Sequence, residues 1–136
     1  MEPLNRFESD LVNTAEDVVR LANDINEPNA KILLDGFHMT IEEKNIREAI
    51  NTVGDKLLHV QVSENHRGIP GTGLTSWNDF QLGLSDIGYK GAIVIESFTP
   101  EIKELAGAVC IWKNLAPSQD EFASEGIKFL KETFKN

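Results

Sequence analysis

Apolar positions along the chain follow two spacings, one typical of buried strands and one of amphipathic helices. Three short, continuous apolar runs predict strands at residues 31–35, 57–62 and 92–96. Apolar residues spaced three or four apart predict helices over residues 13–26, 41–53 and 77–87, from 99 to about 112, and from 118 towards the C-terminus. Because strands alternate with helices, the pattern predicts an α/β fold with a parallel sheet.

The predicted helix boundaries depend on a few residues with capping chemistry. Asn13 with Glu16, and Thr40 with Glu43, have the three-residue spacing of capping pairs at a helix N-terminus. Gly54 follows the second predicted helix, where glycine commonly ends a helix. We therefore expect the first helix to begin near residue 13 and the second to begin at residue 41 and end at Gly54.

Alternation along the strands sorts their side chains onto two faces. Bulky aliphatic residues such as Leu58 share one face and are expected to pack against helices, whereas Asp35, Gln61 and Glu96 lie on the other face, near the C-terminal strand ends. Acidic residues at those ends are typical of sites in (β/α) barrels and doubly wound sheets. Because an isolated buried carboxylate is costly, converging carboxylates need a cation or protons between them.

Composition narrows the partners that we expect. The chain has 13 basic and 22 acidic residues and a formal net charge of −9, so its surface repels nucleic acids and anionic membranes. No apolar run approaches the ~20 residues that span a bilayer, and the first residues do not have the pattern of a signal peptide, so we expect neither feature. The single cysteine, Cys110, cannot form an internal disulfide. We therefore expect a cytoplasmic protein, with Cys110 inert in a helix core.

Four short motifs follow one another along the chain: EPLNRFE at 2–8, LDGFHM at 34–39, SENHRG at 63–68 and IESF at 95–98. In this order and spacing they resemble the ketose 3-epimerases, the tagatose and psicose type among the xylose-isomerase-like sugar isomerases. The resemblance covers nearly all of residues 1–136 and implies the C-terminal half of a TIM barrel. Three strands cannot close a barrel, and a full barrel takes about 250 residues, which agrees with a partial (half) TIM barrel.

The resemblance implies a metal-dependent epimerase or isomerase that removes the proton beside the carbonyl of a ketose through an enediolate. It implies one divalent cation, manganese, cobalt or magnesium, held by Glu2, Asp35, Gln61 and Glu96. Glu2 and Glu96 are also implied as the catalytic acid/base pair. The residues implied to bind the ketose or keto-sugar substrate are Glu8, His38 and Arg67.

Gln61 departs from the pattern of the family, which has a histidine ligand at this position. A glutamine oxygen can bind a hard cation, but it is neutral and suits transition metals less well than imidazole. His59 lies on the same strand face, about 6.6 Å further along the strand, which is too far to replace that ligand without a shift of the strand.

Two alternatives remain open beside the epimerase. One is a catalytically inactive half-barrel that associates with itself, and the other is a related hydroxypyruvate or sugar-phosphate isomerase. We do not expect this chain alone to be active, because four strands and further substrate contacts of the family are absent. A half-barrel exposes two sheet edges and an apolar inner face, so we expect a homo-oligomer or a partner that supplies the missing N-terminal half.

Overall fold

Three parallel strands and their flanking helices form the architecture of residues 1–135, the part of the chain that this computed structural model describes. The strands are β1 (Ile32–Asp35), β2 (Leu57–Val62) and β3 (Ile93–Ile95), in the spatial order β1-β2-β3. The helices are α1 (Ala15–Ile25), α2 (Gly36–Glu42), α3 (Ile46–Val53), α4 (Trp77–Asp86), α5 (Lys103–Ala108) and α6 (Gln119–Thr133), with a 3₁₀ turn at Gly54–Lys56. The predicted α/β class with parallel strands is confirmed. Among these helices, none is long and apolar enough to cross a bilayer.

The register of the sheet sets which side chains meet at its C-terminal edge. Asp35 on β1 pairs with Gln61 on β2, and Gln61 pairs with Val94 on β3. The N-terminus lies alongside β1, because the Leu33 N–H donates to the Met1 carbonyl at 2.8 Å and the Met1 ammonium group donates to the Lys31 carbonyl at 2.8 Å. These bonds pair Met1 with the start of β1 in a parallel direction, so the chain continues through Glu2 towards the C-terminal edge of the sheet.

The core lies on the helix-covered face of the sheet. Strand residues on this face are at most 1 % exposed and pack against buried residues of α1, α3 and α4; they are Ile32, Leu34, Val60 and Val62. Burying an aliphatic side chain of this size stabilises a fold by about 1.5–3 kcal/mol. Leu58 is an exception to the predicted face, since it is 64 % exposed near the start of β2. On the opposite face, Val94 is 40 % exposed, so the inner face of the half-barrel is open.

The helix predicted over residues 41–53 is two helices in the structure. Asp35 caps α2, which therefore starts directly after β1. Asn45 caps α3 by accepting the Glu48 N–H at 3.0 Å, which leaves residues 43–45 outside either helix. The predicted capping pair of Thr40 and Glu43 is therefore wrong, and the Glu43 carboxylate instead accepts the Ala15 N–H at 2.7 Å.

At two other helix ends, the observed cap lies at or next to the residue that the sequence predicted. The first helix, predicted over residues 13–26, begins at Ala15. Its capping box is formed by Thr14 and Asp17, one residue later than the predicted pair Asn13 and Glu16. Gly54 does cap the end of α3, with a φ of +56° that favours glycine.

The helix predicted from residue 99 to about 112 is much shorter in the structure. Only Lys103–Ala108 is helical, and Cys110 lies beyond the helix with a φ of +57°. Cys110 is exposed. The prediction that it is inert core is therefore wrong, because the chain leaves the helix before that residue.

Candidate functional site

Six of the seven candidate residues form one connected group at the C-terminal edge of the sheet. Ion-pair distances or mutual charge effects link the members of this group, which are Glu2, Glu8, Asp35, His38, Arg67 and Glu96. The seventh, Gln61, reaches the same edge through its strand pairing with Asp35. The tertiary structure therefore gathers residues from positions 2 to 96 around the mouth of the half-barrel.

Asp35 uses one carboxylate oxygen for structure and leaves the other free. Its Oδ1 accepts the N–H groups of Phe37 at 2.7 Å and His38 at 3.4 Å, which caps α2. Its Oδ2 is buried and has no hydrogen-bond partner within residues 1–135. Burial raises the pKa of Asp35 even though His38 and the two N–H groups favour its charged form. The free oxygen is therefore available to a proton or a cation.

Glu2 and Glu96 share the electrostatic environment of Asp35. Burial, reinforced by the negative charge of Asp35, raises the pKa of Glu96 to about 7. The same two causes raise the pKa of Glu2. The Oε2 atom of Glu96 is buried without a hydrogen bond from residues 1–135, and it lies 3.8 Å from the Arg67 guanidinium. The charge of Asp35 thus disfavours the charged forms of both Glu2 and Glu96, and Glu2 adds to this effect on Glu96. A cation between these carboxyl groups would reverse the effect.

His38 is almost fully buried beside this carboxylate group. It is 3 % exposed, and its Nε2 atom lies 3.9 Å from Oε1 of Glu2. Burial lowers the pKa of His38, although the charges of Asp35 and Glu8 act in the opposite direction. Asn5, which the sequence did not single out, donates its backbone N–H to the other ring nitrogen of His38 at 3.1 Å.

Arg67 is held between two aromatic rings that the sequence also did not single out. Its guanidinium carbon lies 4.1 Å from the ring centre of Phe37 and 4.9 Å from that of Phe98. The side chain is 5 % exposed and faces carboxylate oxygens of Glu8 at 3.4 Å and Glu96 at 3.8 Å. The backbone of Arg67 adopts a left-handed φ of +62°. Stacking and ion pairing together leave this long side chain little freedom.

Glu64 is a buried acid near the end of β2 that organises a loop. Its carboxylate accepts four N–H groups at 2.8–3.1 Å, from Asn65, Gly71, Thr75 and the indole of Trp77. Burial by itself would raise the pKa of Glu64, but these hydrogen bonds outweigh burial and lower the pKa to about 2. Glu64 therefore stays charged and holds the glycine-containing loop that carries Arg67.

The candidate metal ligands fit a hard cation in their chemistry. The set consists of three carboxylates and one amide oxygen, and two of the carboxylates, Asp35 and Glu96, have a buried oxygen without a partner. Oxygen ligands of this kind suit magnesium or manganese. Within residues 1–135, no three His, Cys, Asp or Glu side chains are close enough to one another to hold a metal ion as placed. A cation would therefore have to draw the carboxylates together.

Parallel strands with polar and acidic residues at their C-terminal ends define a protein of the (β/α)-barrel class. Residues 1–133 match the family model described as xylose isomerase-like TIM barrel, and the chain belongs to that family.

Relatives of the chain include several ketose 3-epimerases. The chain is 35 % identical to an L-ribulose 3-epimerase of Methylomonas sp. (strain DH-1), over 98 % of this chain and 48 % of that protein. It is 38 % identical to a D-psicose 3-epimerase of Agrobacterium fabrum, over 88 % of this chain and 42 % of that one. The solved structure of an L-ribulose 3-epimerase superposes on 99 % of the chain with a TM-score of 0.95 and 34 % identity, using 46 % of its own length. The chain thus spans about half the length of the relatives that it matches, as expected for a half-barrel.

Proposed function

We propose that this chain is the half of a metal-dependent ketose 3-epimerase that carries the acid/base pair and the metal ligands. Similarity to ketose 3-epimerases supports the reaction class. The observation that carries the proposal is the convergence of three desolvated carboxyl groups, Glu2, Asp35 and Glu96, at the strand ends. The reaction needs such groups, because it moves a proton on a weak carbon acid next to a ketone.

Glu2 and Glu96 are the proposed acid/base pair. Epimerisation removes a proton from one face of the carbon and returns a proton to the other face, so two groups on opposite sides of the substrate are required. Without a cation, burial and the charge of Asp35 raise the pKa of Glu96 to about 7. A bound cation would lower the pKa of Glu96 and favour the charged carboxylate that accepts the substrate proton. A divalent cation held by Glu2, Asp35, Gln61 and Glu96 would stabilise the negative charge on the enediolate oxygens as a Lewis acid.

Three side chains are proposed to hold the ketose, namely Glu8, His38 and Arg67. Two of them are in contact already, since Arg67 lies 3.4 Å from Glu8. Their donors and acceptors would bind substrate hydroxyl groups and select which carbon faces the acid/base pair. His38 and Arg67 are nearly fully buried, so little side-chain entropy remains to be lost on binding.

Manganese binding and ketose turnover test this proposal together. We expect the isolated chain to bind Mn²⁺, and we expect a chimeric barrel to convert D-fructose when this chain replaces the corresponding half of the Methylomonas L-ribulose 3-epimerase. Glu96→Gln in that chimera should lower kcat at least about a hundredfold, because one member of the acid/base pair is lost. Turnover is measured by chromatography of the ketose products.

The matched control is Glu101→Gln, which removes a carboxylate from an exposed position near the same strand end and should leave kcat unchanged. A folded chimera that neither binds Mn²⁺ nor converts any ketose would refute the epimerase proposal. Conversion of hydroxypyruvate without ketose epimerisation would favour the related isomerase instead.

Self-association of the isolated half-barrel is a second proposal, favoured by its open inner face. Val94 lies on the inner face of the edge strand β3 and is 40 % exposed. Pairing with another copy would cover such surfaces. We expect light scattering to give a mass at least about twice the 15.1 kDa of one chain. Val94→Glu should shift the mass towards that of the monomer.

Leu74→Glu is the control for this experiment. Leu74 is 87 % exposed but lies in the loop after β2 rather than on the sheet, so its replacement should leave the mass unchanged. A wild-type chain that is folded and monomeric at micromolar concentration would contradict the proposal.

A further inference from the structure

Asn5 lies among the three side chains that the proposed function assigns to the ketose. It is 1 % exposed and sits in the segment before α1, 33 positions before His38. It contacts His38 and Glu8 directly, and Glu8 in turn faces Arg67. The proposed substrate-binding group is thus connected through one buried amide.

Two donors from Asn5 converge on the same ring nitrogen of His38. The backbone N–H donates to Nδ1 at 3.1 Å, and the side-chain Nδ2 lies 2.8 Å from the same atom. A neutral imidazole has one nitrogen that carries hydrogen and one that accepts. Because a backbone N–H can only donate, Nδ1 must be the acceptor, and the hydrogen of the neutral ring therefore resides on Nε2.

The orientation of the Asn5 amide follows from a separate contact. Its Oδ1 accepts the Phe7 N–H at 2.9 Å, so Nδ2 must face the opposite way, towards His38. From there Nδ2 also donates to Oε1 of Glu8 at 3.0 Å. Nδ2 of Asn5 thus contacts both His38 and Glu8. If the amide were flipped, these hydrogen bonds and the bond from the Phe7 N–H would all be lost.

We propose that Asn5 is a positioning residue that holds His38 in the tautomer protonated at Nε2 and aligns Glu8 beside it. His38 then presents a hydrogen-bond donor from Nε2, the nitrogen that lies nearest Glu2, and Glu8 presents an acceptor. This inference rests on the proposed function and assigns His38 to binding a substrate oxygen rather than to removing a proton. The reason is that the nitrogen turned towards the carboxylates already carries hydrogen.

Nitrogen-15 NMR of the histidine rings tests the assignment directly, on the full chain. In the wild type at neutral pH, we expect His38 to show an unprotonated Nδ1 and a protonated Nε2. Asn5→Asp keeps the size of the side chain but puts a charged acceptor in place of Nδ2, which lies 2.8 Å from Nδ1. We expect this carboxylate to outweigh the remaining backbone N–H donor, so Nδ1 should become protonated. His59 and His66 serve as internal references whose ring signals should not change.

Asn13→Asp is the matched control for this substitution. Asn13 lies in the same segment, and its Nδ2 donates to the carbonyls of Leu4 at 2.6 Å and Ser9 at 2.9 Å without contacting His38. It should loosen the segment and leave the His38 tautomer unchanged. Equal ring shifts in both variants would mean that loop stability alone decides the tautomer, and a wild-type ring protonated at Nδ1 would overturn the proposal outright.

Asn5→Ala separates the two roles of Asn5 and covers the case in which Asn5→Asp does not fold. The backbone N–H remains, so the tautomer should persist, whereas the link to Glu8 is lost. In the chimeric barrel, we expect kcat/KM to fall about tenfold, mainly through a higher KM. The reason is that Glu8, which is proposed to accept a hydrogen bond from the substrate, is no longer held in place by Asn5. An unchanged kcat/KM would contradict the positioning role.

The NMR readout does not depend on turnover. A wild-type chimera without turnover but with the Nε2-protonated ring would refute the proposed function and leave the tautomer assignment standing. Normal turnover with an Nδ1-protonated ring would support the proposed function and refute the tautomer assignment.

Discussion

Glu64→Gln is expected to destabilise the chain by about 3 kcal/mol, the largest stability loss that the structure implies for a single polar substitution. The carboxylate of Glu64 accepts four N–H groups in a fully buried position. Glutamine has nearly the same shape but turns one of the two acceptor oxygens into an NH₂ donor that faces other donors. Urea unfolding followed by circular dichroism measures the change.

The pH dependence of this difference provides an independent check. The folded-state pKa of Glu64, about 2, lies below its ordinary value of 4.5, so Glu64 stabilises the fold fully above pH 4.5. That contribution, about 3 kcal/mol, is lost as pH falls from 4.5 towards 2. The gap between wild type and Glu64→Gln should close over the same range. Glu27→Gln, an exposed control, should match the wild type throughout, and a constant gap down to pH 2 would contradict the argument.

Asp35→Asn is expected to separate stability from metal binding. Its Oδ1 acceptor, which caps α2, is retained, while the charge that raises the pKa of both Glu2 and Glu96 disappears. Without divalent cations, we expect a gain on the order of 1 kcal/mol at pH 7. At the same time, affinity for Mn²⁺ should fall at least about tenfold, because a charged ligand becomes neutral. Thermal unfolding with EDTA or with Mn²⁺ measures both effects.

The sign of the accompanying pH effect follows from the raised pKa of Glu96. Its folded-state pKa, about 7, exceeds the ordinary 4.5, so the protonated form is favoured in the folded state. The metal-free protein should therefore be most stable below pH 4.5 with respect to this group and lose stability as pH rises through 7. Mn²⁺ should remove that loss. Asp24→Asn, an exposed control, should change neither stability nor affinity, and a destabilised Asp35→Asn variant would show that the carboxylates do not repel one another.

The sequence pattern was sufficient to predict those elements whose structure depends on a few residues that are neighbours in the chain. The continuous apolar runs correctly predicted three strands, and their alternation with helices correctly predicted a parallel sheet. A strand that is covered by helices can be recognised from its apolar residues alone. The position of Asp35 at the C-terminal end of β1 was also predictable from the sequence. The break within the predicted 41–53 helix was not, because the apolar stripe that predicted this helix runs from Ile46 to Val53 and lies wholly in α3, whereas residues 41–42 end α2.

The sequence by itself determined the alternating elements, the family motifs and the polar strand ends, because each depends on residues close together in the chain. Only the tertiary structure decided that Asn5 bonds to His38, that Phe37 and Phe98 enclose Arg67, and that Glu64 organises the loop after β2. Those relations join residues as many as 33 positions apart, and hydrogen-bond donors, ring faces and desolvation depend on distances in space that no spacing along a chain contains.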